Sequence, residues 1–137
     1  MVLPGIQALF GFQLIAVFNT TFSEKLTHIQ QKLHLGAIGL ILISIALVMT
    51  PAAYHRLTGP RLVDAAFIEV ATLLLVLSMF PLMVAICLDV YLIATLILHN
   101  GLLSGLLSCF FLLLFVSLWF VFPRLKGRAT NHRRRSS

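Results

Sequence analysis

Apolar residues run along this chain in four long stretches parted by short polar ones, and the stretches are long enough to read as helices that cross a bilayer. The first, Val2 to Phe22, matches roughly 30 Å of hydrocarbon at about 1.5 Å per residue. Pro4 suits its first turn, where a missing N–H costs nothing. Gln7, Gln13 and Asn19 interrupt it without sharing a face, and Ala8 and Gly11 offer a smoother patch for a neighbour. The segment Ser23 to Lys32 is mostly polar, and within it Thr27 and Gln30 have the spacing of a capping box, so a second helix starts there.

That helix runs from about Gln30 to Tyr54, with Gly36, Gly39 and Ala46 as close-packing sites. Pro51 should kink or end it near Tyr54–Arg56. The turn signal Thr58-Gly59-Pro60 makes helices two and three antiparallel neighbours. From Leu62 to Leu98 the only break is Pro81, and a reversal at Phe80-Pro81 would need polar or glycine residues that are absent. One long helix bent near Pro81 is expected, its start in the interface. His99-Asn100-Gly101 ends it. The fourth run, Leu102 to Phe122, carries Gly101, Gly105 and Cys109 at four-residue spacing, a small-residue pattern of close helix packing.

The expected fold class is therefore an all-α integral membrane protein of four transmembrane helices, with spans at about 3–22, 33–54, 68–98 and 102–122. Residues 1–125 form the membrane domain and 126–137 a basic tail. Composition agrees: 60% of the 137 residues are hydrophobic and 10% charged, whereas a soluble domain runs nearer a quarter charged. The uncharged start of the first run does not have the pattern of a secretory signal, so that segment is expected to be retained. Cys87 and Cys109 both lie in apolar runs, so neither a disulfide nor a metal pair is read from them.

Charge sets the orientation. With four spans, both ends and the 55–61 loop lie on one side with eight of the ten Lys and Arg, against Lys25 and Lys32 on the other. The positive-inside rule then puts both termini in the cytoplasm. In the tail, Arg124, Lys126, Arg128, Arg133, Arg134 and Arg135 suit anionic lipid headgroups, at about 1 kcal/mol per basic residue, more simply than nucleic acid.

Asp89 is the one acid deep in an apolar run, and intramembrane acids commonly serve proton or cation pathways or lock helices together. Ser78, Ala85 and Asp89 share a helical face. Counting depth along the other helices brings Gln13, Ser44, Ser108 and Cys109 to a similar level, so Asp89, Gln13, Ser44 and Ser78 form the candidate proton or cation site. His28, His34 and His99 fall on the expected outer side, where interfacial histidines are the commoner reading and a surface metal or pH-sensing cluster the alternative. No histidine pair inside the spans suits a haem, and no Ser or Cys has a His and an acid at catalytic spacing, so neither cofactor, metal site nor enzymatic activity is expected.

Two segments carry a resemblance: Leu3-Pro4-Gly5-Ile6-Gln7-Ala8-Leu9-Phe10-Gly11-Phe12-Gln13-Leu14 and Pro51-Ala52-Ala53-Tyr54-His55-Arg56, with a weaker Leu118-Trp119-Phe120. Over residues 3 to about 125 the chain resembles a family of small bacterial four-helix inner-membrane proteins of unknown function. That resemblance implies a bacterial inner-membrane location and supplies no activity or site residues. Two function classes stay open: a structural or accessory, non-enzymatic membrane protein, and a small ion-coupled transporter of the cation/proton antiporter kind. The bilayer is the expected partner in either case, and a homo-oligomer would suit the transporter, because four helices enclose little cavity.

Overall fold

A computed structural model describes residues 2–19, 24–58 and 65–124. Among these the chain is all-helical, in four helices: α1 (Val2–Val17), α2 (His28–Thr58), α3 (Ala65–Leu98) and α4 (Gly101–Val116), the last continuing through a wider π turn, Ser117–Val121, as far as Arg124. Three stretches, His28–Leu57, Phe67–Leu98 and Gly101–Arg124, are long and apolar enough to cross a membrane.

The helix ends follow from local chemistry. At the start of α2 the Thr27 N–H donates to Gln30 Oε1 (2.9 Å), while the Gln30 N–H donates to Thr27 Oγ1 (3.3 Å). This is the reciprocal capping box that the spacing foretold. Between α3 and α4, His99 takes a left-handed conformation (φ 49°) and Asn100 caps α4, its side chain accepting from the N–H groups of Leu102 and Leu103. The chain thus reverses on a left-handed histidine and an asparagine cap rather than on a left-handed Asn or Gly.

Helix boundaries differ from expectation in several places. α1 stops at Val17 instead of reaching Phe22, and its 16 residues rise only about 24 Å. The Asn19 N–H turns back to the Ala16 carbonyl (3.2 Å), and asparagine followed by two threonines is poor helix-forming sequence. α2 is longer than predicted at both ends, because the capping box opens it at His28 and Pro51 does not close it. Just before that proline, Thr50 Oγ1 bonds back to the Ala46 carbonyl (2.8 Å), while the carbonyl that Pro51 leaves without its helical N–H is that of Leu47. α3 starts at Ala65 and passes through Pro81 as one helix, without a reversal. α4 starts one residue earlier than predicted and carries the π turn.

α3 packs against both α2 and α4, and α1 lies on α2 and α3. Along α2 the buried positions are His34, Ala37, Ile41 and Ser44; along α3 they include Ser78, Leu82, Ala85 and Leu92. Both sets advance by three and four residues, the spacing that keeps one seam of a helix against its partner. The two seams meet antiparallel in a single register: Ser44 Oγ donates to the Ser78 carbonyl (2.9 Å), and Tyr54 stacks on Phe67 at 5.7 Å. Ile6 of α1 joins Ala37, Ile41, Leu82 and Ala85 in the core, with Trp119 packed against it.

The close approach comes from Ala37, Ser44, Ser78 and Ala85, and of the residues singled out for it in the sequence only Gly101 has a neighbour at contact distance, the Tyr91 hydroxyl. Ala8, Gly36, Ala46 and Cys109 are exposed, and no atom lies within 4 Å of where a Cβ at Gly11, Gly36, Gly39 or Gly105 would stand. On α4 it is Ser104 and Ser108 that turn to α3, Ser108 Oγ donating to the Cys87 carbonyl at 2.8 Å. Spacing alone cannot say which stripe of a uniformly apolar helix faces a partner.

Candidate functional site

Each of three helices carries a polar side chain on its buried seam, and the three meet. α1 contributes Gln13, two turns beyond buried Ile6; α2 contributes His34, one turn before Ala37; α3 contributes Asp89, one turn beyond Ala85. At about 1.5 Å per residue His34 sits about 9 Å into α2 and Asp89 about 14 Å from the end of α3. The cluster therefore lies inside the helical bundle and below its rim.

Gln13 Nε2 donates to Asp89 Oδ2. His34 Nδ1 lies 3.5 Å from Asp89 Oδ1, an ion-pair separation without the geometry of a hydrogen bond, and His34 Nε2 faces the Gln13 backbone carbonyl at 3.4 Å. Among the described residues two buried oxygens, Gln13 Oε1 and Asp89 Oδ1, have no hydrogen-bond donor. The group is shielded from solvent: Gln13 is 5% exposed, and the side chains of His34 and Asp89 are 10% and 15% exposed.

Of the four predicted site residues, the structure brings Gln13 to Asp89 and takes Ser44 and Ser78 elsewhere. Ser44 is spent on the Ser78 carbonyl, and Ser78 Oγ on the Leu75 carbonyl (2.6 Å), about three turns from Asp89. The depth count failed because it placed Ser44 level with Asp89, whereas the antiparallel register puts His34 there. His34 is accordingly not a surface histidine. His28 is exposed, and His99 lines an open groove at the rim with Lys25, Thr27, Gln30, Thr95 and Leu96. The missed signal was periodicity: His34 precedes Ala37, Ile41 and Ser44 at the same three-and-four spacing that marks the buried seam.

Among the described residues no three His, Cys, Asp or Glu side chains converge as metal ligands would. At the far end, Arg124 is exposed and its guanidinium reaches the Phe120 carbonyl (3.4 Å). Lys126, Arg128, Arg133, Arg134 and Arg135, the rest of the expected headgroup contact, lie outside the described residues.

A family model matches residues 1–123, a span that takes in all four helices and all three residues of the cluster. The chain belongs to DUF6328, a family of unknown function. Both sequence segments noted above fall within the DUF6328 match. No curated protein and no solved structure matches the chain.

Proposed function

We propose that this DUF6328 member is a multi-pass protein of a bacterial inner membrane with a structural or accessory role and no enzymatic activity. The observation that carries this is the inversion of the usual soluble pattern. Gln13, His34, Ser44, Ser78 and Ser104 are buried, while the outer faces of α3 and α4 present Leu73, Val76, Leu102, Leu106, Phe110 and Leu113. In lipid that arrangement is favourable on both counts, because tails solvate the leucines and the polar groups find one another. Asp89 fits the same reading, since it is enclosed and paired rather than open to water. α1 as the fourth span, both termini in the cytoplasm, a bend at Pro81, and the tail on anionic lipid complete the proposal. Reporter fusions at the two termini test it: both should be active only as cytoplasmic reporters, and a periplasmic C-terminus would refute the topology.

A second reading, a small ion-coupled transporter working as an oligomer, is favoured by one observation: a buried acid with an imidazole and an amide around it. Proteoliposomes decide between them. On the accessory reading, neither wild type nor Asp89→Asn moves ions under an imposed pH gradient. Flux in the wild type that the Asn variant loses, with its fold intact, establishes transport.

A further inference from the structure

We infer that His34 and Asp89 are a binding site for one proton, held between His34 Nδ1 and Asp89 Oδ1 where α1, α2 and α3 meet. The inference rests on the membrane reading for the cost of leaving net charge at this site, but the proton count itself is a property of the cluster's geometry.

The argument starts at the far side of the imidazole ring. His34 Nε2 faces the Gln13 backbone carbonyl, which can only accept, so this nitrogen carries a hydrogen. On the carboxyl, Oδ2 already accepts from the Gln13 amide. His34 Nδ1 stands opposite Asp89 Oδ1 at 3.5 Å, and among the described residues Oδ1 has no hydrogen-bond donor. With no further proton, a nitrogen lone pair would face a carboxylate lone pair in a site largely shielded from solvent, and the cluster would keep a full negative charge. One added proton removes both problems. On the nitrogen it gives an imidazolium facing a carboxylate; on the oxygen it gives a carboxylic acid facing a neutral imidazole. The cluster is neutral either way, and the two forms differ by moving one proton along one contact. A second proton would restore a net charge, now positive, and put a hydrogen on both atoms of the same contact.

The ligand is a proton rather than a metal cation because of the donors. Hard cations take six or more oxygens, and here only two oxygens are unpartnered, with an imidazole nitrogen beside them. Among the described residues no other titratable group at the site supplies the charge. α1 has no ionisable side chain, α2 gives only His34, α3 gives Cys87 and Tyr91 to either side of Asp89, and α4 brings Cys109 beside Cys87. Because Gln13 touches both partners, the docking of α1 depends on the proton. Ile6 of α1 shares its core cluster with Trp119, the sole tryptophan, whose fluorescence therefore reports whether α1 is seated.

The test is a proton count on the full chain in lipid nanodiscs near neutral pH. Nitrogen NMR of labelled histidine, with the His34 signals assigned by their loss in His34→Gln, reports hydrogens on Nδ1 and Nε2. Infrared spectroscopy, with Asp89→Asn as the difference, reports a protonated carboxyl. The expected result is a hydrogen on Nε2 together with one of the two other signatures, Nδ1–H or the Asp89 acid, or one proton shared between them. In Asp89→Asn the amide can donate to a bare Nδ1, so any Nδ1 hydrogen should disappear while Trp119 emission stays as in the wild type. Finding neither signature, or both at full occupancy, overturns the inference. So does a change in the wild-type signals when Na⁺ replaces K⁺ at constant pH, which would assign the site to a metal cation. Sedimentation of the expressed protein with carbonate-washed membranes is read separately, so a failure of the membrane reading is distinguishable from a failure of the proton count.

Discussion

α2 and α3 are tied by polar contacts at two levels of the same seam, and the two ties are unlike. Near the middle, Ser44 Oγ gives its one hydrogen to the Ser78 carbonyl, and both groups are neutral, buried and matched one to one. Toward the end shared with the α1–α2 connection, His34 faces Asp89, a third helix is drawn in through Gln13, and the acceptors outnumber the donors. A serine-to-carbonyl bond has one chemical state at any ordinary pH, so it can fix register and do little else. An acid and an imidazole have several states of different net charge, and only the neutral ones are cheap in an apolar surrounding. The first tie is a pin. The second makes the seating of α1 conditional.

The sharpest way to separate them is to remove one partner from each. His34→Leu leaves Asp89 with Gln13 alone, and breaking one side of a buried pair costs about 3 kcal/mol. Stability in micelles, followed by SDS unfolding on Trp119 emission, should fall by that order at neutral pH. Adding Asp89→Asn to the same chain should recover most of the loss, because the uncompensated acid is gone. If the double variant is as unstable as the single, the cost lies in packing and the distinction between the two ties collapses.

How much of this was legible beforehand depends on range. Thr27 and Gln30 interact within one turn, so their capping box could be read from four residues. The continuity of α3 past Pro81 was legible too, since no polar or glycine residue offers a turn there. The ionic tie was not, because it depends on register between helices more than fifty residues apart in sequence. Depth counted from an expected span start near residue 33 placed Ser44 beside Asp89, and the true register brings His34 there. The glycine stripes misled for a related reason. When every face of a helix is apolar, small residues on the lipid side look the same as small residues on the seam.

Gln13→Leu gives the next largest effect and sharpens the claim that α1 belongs to the conditional tie. It removes the only side chain through which α1 donates to Asp89 while keeping the bulk of the residue. An interhelical bond of this kind is worth about 1 to 2 kcal/mol. The loss should appear chiefly as a shift in Trp119 emission and easier proteolysis after α1, with α2, α3 and α4 still helical by circular dichroism. Loss of all helical signal at once would mean that α1 is integral to the fold and not a seated appendage.

Ser44→Ala should do least, and its value is in what it leaves alone. It deletes a single neutral hydrogen bond and removes only a hydroxyl from the seam, so about 0.6 kcal/mol is expected. The Ser78 carbonyl keeps its place in the helical ladder and is not orphaned. Because Ser44 and His34 are ten residues apart on one helix, about 15 Å, their effects should simply add in a double variant. The loss should also be the same at acid, neutral and alkaline pH, since nothing that titrates touches this bond. A Ser44→Ala cost that changed with pH, or that depended on whether Asp89 was present, would show the two ties to be one coupled network.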